Sequence, residues 1–83
     1  MNLKNIVTKI KAAGFEDCHI AFGWTEFEDA QIDIVPGIFL QVGADYMSVS
    51  KWHADGEGTA NWPMREEGEF DQVLDDLQAA IKH

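Results

Sequence analysis

A chain of 83 residues with a formal net charge of −9 suffices for one domain and no more, and it buries only about 60–65% of the surface its unfolded form exposes. The charge argues against direct nucleic-acid contact, because phosphates need clustered Lys or Arg, and no apolar run approaches the ~20 residues of a membrane span. The single cysteine, Cys18, can close no internal disulfide and belongs to no zinc-binding pair.

The first fourteen residues carry Lys4, Lys9 and Lys11 and no acid, while the remainder holds all fifteen acids against Lys51, Arg65 and Lys82. They show no apolar segment or cleavage site of a secretory leader, so a soluble, cytoplasmic protein is expected. Residues 2–13 read as an amphipathic helix: Leu3, Ile6, Val7 and Ile10 follow the i, i+3, i+4, i+7 spacing of one helical face. Asn2 suits its N-cap. Gly14 suits its stop, with Phe15 folding back on the last turn.

Cys18 to Trp24 reads as a first strand. Cys18, Ile20, Phe22 and Trp24 fall on one face and His19, Ala21 and Gly23 on the other. Residues 25–30 are acidic and read as a turn or irregular edge; Gln31 to Val35 is a short second strand closed by the Pro36-Gly37 turn. Two apolar, β-branched and aromatic runs then flank Gly43-Ala44-Asp45, which is hairpin chemistry. In the first run Ile38, Leu40 and Val42 oppose Phe39 and Gln41. In the second, Met47 and Val49 make a core face, and Tyr46, Ser48, Ser50 and Trp52 make a mixed one.

Asp55-Gly56 marks another turn, and Thr59 to Trp62 returns as a last short strand that Pro63 ends or keeps at an edge. Residues 64–69 read as a charged loop. Phe70 to Lys82 reads as a helix with Phe70, Val73, Leu74, Leu77 and Ile81 on one stripe, Ala80 beside it, and Asp75 and Asp76 on its outer face. Strands grouped between terminal helices predict an α+β fold. Its two layers are an antiparallel sheet of about four strands and two helices, N-terminal and C-terminal, on one sheet face, in the order α-β-β-β-β-α.

His53, Asp55 and Glu57 would point the same way in an extended chain and gather metal- or proton-binding groups. The Asp-Gly pair instead favours a polar turn, and no second His or Cys stands at ligand spacing. Cys18 and His19 point to opposite strand faces, so they form no nucleophile–base pair. Cys18 reads as a small buried hydrophobe, and His19 is left to meet a carboxylate of another strand. Glu26, Glu28, Asp29 and Asp33 lack the spacing of a calcium loop and read as a solvated acidic edge. Motifs for phosphate cradling and a nucleophile elbow are missing.

Trp24, Tyr46, Trp52 and Trp62 fall on three strands and suit one side of the sheet, either as core or as a binding face. Two helical stripes are too few to cover both sheet faces, so the other face is polar, pocketed or an interface. The expected function is a non-catalytic interaction module without a cofactor, binding a protein partner, foremost a second copy. Its binding surface comprises Trp24, Tyr46, Ser48, Ser50, Trp52, His53 and Trp62. Two alternatives stand beside it: an acidic inhibitor or antitoxin-like protein for a basic partner, and a small-molecule binder with a Trp-lined pocket.

Overall fold

Asn2 starts the first helix by accepting the Asn5 N–H on its side-chain oxygen at 3.1 Å, and α1 runs over Leu3–Ala12. Gly14, at φ 110°, turns the chain out in a left-handed conformation that suits glycine. The Phe15 N–H then reaches back to the Ile10 carbonyl and the Gly14 N–H to that of Lys11. These two bonds are the Schellman stop the sequence implies.

The structure is a computed structural model that describes residues 2–52 and 58–82. After α1 come β1 (His19–Phe22), β2 (Ala30–Val35), β3 (Ile38–Val42), β4 (Met47–Trp52), β5 (Thr59–Asn61), a 3₁₀ turn at Glu67–Glu69 and α2 (Phe70–Lys82). The strands form one antiparallel sheet in the order β1-β2-β3-β4-β5. The architecture is the expected α+β one, with five strands rather than about four. No helix among the described residues is long and apolar enough to cross a membrane.

One face of the sheet makes the core. Ile32, Leu40 and Val49 lie opposite one another on β2, β3 and β4, as do Ala30, Val42 and Met47, and all six are buried. Ile6 and Ile10 of α1 and Val73, Leu77 and Ala80 of α2 join them in one cluster. Each fully buried branched side chain contributes about 1.5–3 kcal/mol over its exposed state. The inner line of α2 is Val73, Leu77 and Ala80, and Ile81, expected on the stripe, is exposed. Lys51, on the helix side opposite Ile38, donates through Nζ to the Ala80 carbonyl at 2.9 Å, serving the negative end of α2. Lys9 lies 5.3 Å above the Phe70 ring and links the two helices.

Three expectations are corrected. β1 ends at Phe22, and a register shift between Ile20 and Phe22 pairs Phe22 with Gln31. This bulge puts Phe22 on the face opposite Ile20 and leaves Trp24 beyond the strand. Residues 64–69 are not merely a charged loop: Arg65 and Met47 exchange both backbone hydrogen bonds, at 2.7 and 2.6 Å. Asp76 is buried rather than outward. Its carboxylate accepts from Arg65 Nε at 2.9 Å and Nη2 at 3.1 Å, a bidentate pair, and Gln72 Oε1 takes a third guanidinium N–H at 2.8 Å. The hydrogen bond it donates to Asp76 is the main reason the Arg65 guanidinium is held more firmly protonated than usual.

Candidate functional site on the open sheet face

Strand alternation sends every second residue of the sheet away from the helices. The register aligns His19, Asp33, Phe39, Ser50 and Asn61 across all five strands on that open face, with Gln31, Gln41 and Ser48 in the next row and Trp52 opposite Thr59. Ser50 is 1% exposed despite having no helix above it. Its hydroxyl donates to Asn61 Oδ1 at 2.7 Å, which satisfies the buried oxygen. The Phe39 and Trp52 rings lie 5.7 Å apart and tilted by 37°, within the range of favourable aromatic pairs. Phe39 is buried and Trp52 is 54% exposed.

Between the Asp17/His19 end and Trp52 the face dips into a depression of about 400 Å³, with Phe39, Asp33 and the Pro36-Gly37 turn among its walls. Asp33 Oδ1 accepts from Gln31 Nε2 at 2.8 Å, and Asp33 Oδ2 lies 3.5 Å from His19 Nε2. His19 Nδ1 is 3.0 Å from the Asp17 carbonyl, which only accepts, so that nitrogen carries a proton. The Asp33 contact is therefore an ion pair only in the doubly protonated ring.

Four sequence-selected residues share this surface. Ser48, Ser50 and Trp52 face Gln41, Phe39 and Thr59. Tyr46 continues their alternation and lays its ring over Gly43, where a Cβ would overlap it. The other tryptophans do not complete one aromatic side. Trp62 packs against the helix-side core, its backbone N–H donating to the Val49 carbonyl at 2.9 Å. Trp24 sits past β1 beside Thr25, Glu28 and Ala44 at a separate shallow cavity. His53, with Asp55 and Glu57, lies outside the described residues.

Among the described residues no group of three His, Cys, Asp or Glu is placed to hold a metal ion. Cys18 is buried, and that burial pushes its thiol above the ordinary range, with Lys11 partly opposing. An inert structural thiol behaves this way, whereas a reactive one has its pKa lowered. Asp33 lies on the open face, while α2, with Asp71 and Asp75, packs on β4 and β3 from the other. Sequence reasoning missed His19, Asp33, Phe39 and Gln41 as members of the site. Their parity was readable, but the register that joins them across strands was not.

No family model, curated protein or solved structure matches this chain. The functional reading therefore rests on the geometry of the open face.

Proposed function

We propose that this protein is a small, non-catalytic interaction module that pairs with a second copy of itself through the open sheet face. The observation that carries this reading is the distribution of charge. On a chain of net charge −9, the strand positions aligned on the open face are Gln31, Phe39, Gln41, Ser48, Ser50, Trp52, Thr59 and Asn61, with Asp33, beside His19, as the charged exception. Like-charged copies repel over most of their surface, and they approach at least cost where carboxylates are fewest. Exposed Trp52 and Phe22 supply apolar area there, and aromatic rings are typical interface anchors. The molecule spans 32 × 29 Å across its two longer axes, room for the ~800 Å² per partner of a standard interface. Burying the open face in a dimer also enlarges a core that is small for one chain. A cytoplasmic setting accords with the lone cysteine.

The test is the solution mass, by light scattering coupled to size exclusion, at low and high salt. A dimer at both supports the proposal, and Trp52→Ser should then shift the mass toward the monomer while far-ultraviolet circular dichroism stays unchanged. A wild-type monomer at high micromolar concentration at both salts would sink it.

A further inference from the structure

The depression on the open face has a polar end whose two groups ask for the same partner. His19 Nδ1 lies 3.0 Å from the Asp17 carbonyl, so the proton of the neutral ring sits on Nδ1 and Nε2 is an acceptor. That Nε2 is turned to Asp33 Oδ2 at 3.5 Å. The other carboxylate oxygen, Oδ1, is already engaged by Gln31 Nε2 at 2.8 Å. Two acceptors on neighbouring strands therefore converge, and the group that satisfies both carries at least two N–H bonds.

One strand away the surroundings turn apolar. Asp33 stands opposite Phe39, at a strand spacing of about 4.8 Å. The buried Phe39 ring pairs with half-exposed Trp52 at 5.7 Å. The Trp52 backbone N–H donates to the Gly37 carbonyl at 2.9 Å, which ties the end of β4 to the Pro36-Gly37 turn and fixes that wall. Lys51, its neighbour in sequence, is turned to the other face, where Nζ meets the Ala80 carbonyl. Among the described residues no Lys or Arg lines the depression, whereas Asp17 and Asp33 both do.

We infer that this depression binds a small organic cation: a primary ammonium on a short arm that ends in one flat apolar ring. The ammonium donates one N–H to Asp33 Oδ2 and another to His19 Nε2. The arm crosses a single strand spacing, and the ring lies over Phe39 against Trp52. A volume of about 400 Å³ is within the range of small-molecule sites. Hydrogen bonds between ionised partners are the strong ones, and a chain of net charge −9 draws cations toward it. The inference goes beyond self-association and does not rest on it, since a single copy carries every group named.

The same chemistry states what is refused. A quaternary ammonium keeps the charge but has no N–H to donate. An alcohol keeps the shape and donates once, without charge. A carboxylate is repelled by Asp33. Added salt screens the attraction, so the cation is held less tightly as salt rises.

The experiment titrates phenethylammonium, 2-phenylethanol and phenethyltrimethylammonium into the full chain at about pH 8, where an imidazole is ordinarily neutral. Nuclear magnetic resonance reads the His19 ring nitrogens and the Trp52 indole N–H. The free protein should show a neutral His19 ring protonated on Nδ1. Phenethylammonium should saturate, move both sets of signals and bind roughly tenfold tighter than either analogue, the worth of a charged hydrogen bond. Asp33→Asn, checked for a native thermal melt, should lose a similar factor; the ligand series on the wild type needs no variant and decides the matter if that one does not fold. A doubly protonated His19 in the free protein, a titration that does not saturate, or equal affinity for the alcohol overturns the inference. Equal affinity for the trimethylated compound overturns the acceptor pair as its basis. A failed titration leaves the solution-mass test of self-association standing, and a monomer in that test leaves the cation site standing.

Discussion

The two faces of the sheet are written by alternate residues of the same strands, and they are held in different ways. On the covered face Ile32, Leu40 and Val49 stand in register and disappear beneath the helices. On the open face Asp33, Phe39 and Ser50 stand in register one residue along. There the side chains are held by particular partners: Gln31 for Asp33, Trp52 for Phe39 and Asn61 for Ser50. Non-directional burial defines the fold on one side, which leaves the other free to carry shape and recognition.

The largest effects should separate the faces cleanly. Leu40→Ala removes a fully buried side chain and should cost about 2–5 kcal/mol in urea unfolding. Gln41→Ala, its neighbour on the open face, should stay within about 0.5 kcal/mol at concentrations where the chain is monomeric. A Gln41→Ala cost comparable to that of Leu40→Ala would break the comparison, since the open face would then be holding the fold as the core does.

The next effect concerns the polar pair that tethers the 64–69 segment to α2. Arg65 binds Met47 through its backbone and Asp76 through its side chain, so it joins the edge of β4 to the helix above it. Asp76→Ala should lower the melting temperature by several degrees, because the guanidinium loses its two carboxylate bonds. Arg65→Lys should recover only part of that function, since an ammonium cannot match the planar bidentate geometry. Equal melting temperatures for wild type, Asp76→Ala and Arg65→Lys would show that the pair forms without tethering anything.

The covered face was legible in the sequence for a physical reason. Period-2 runs such as Ile38, Leu40, Val42 and helical spacings such as Leu3, Ile6, Ile10 report burial directly, and capping residues such as Asn2 and Gly14 act through local backbone bonds. The open face was legible only by parity. Tyr46, Ser48, Ser50 and Trp52 could be placed together because they share one strand. Joining them to Asp33 and His19 required the β1–β2 register, which a bulge after Ile20 shifts. Asp76 looked outward because its helical position borders the apolar stripe, and nothing local announces an arginine eleven residues earlier folding over it. In the sequence Trp62 falls on the last short strand, which groups it with the aromatics of two other strands on one side of the sheet. Its placement depends on where β5 ends, and element ends are what single-sequence patterns define least.

The smallest effect uses Cys18 as a probe of how dry the covered side is. The residue joins the core cluster just before β1, and desolvation raises its thiol pKa, with Lys11 pulling weakly the other way. Between the thiol's ordinary value and its raised native value, the folded state retains a proton that the unfolded state has released. Stability from this group is therefore complete below the ordinary value and falls as pH rises through the native one. Cys18→Ser and wild type should accordingly converge in urea midpoint as the solution is made alkaline, and iodoacetamide should label wild type slowly until urea unfolds it. Rapid labelling of the native protein at neutral pH would mean that the covered side admits solvent near α1. The contrast between a dry face and an open one would then hold only beneath α2.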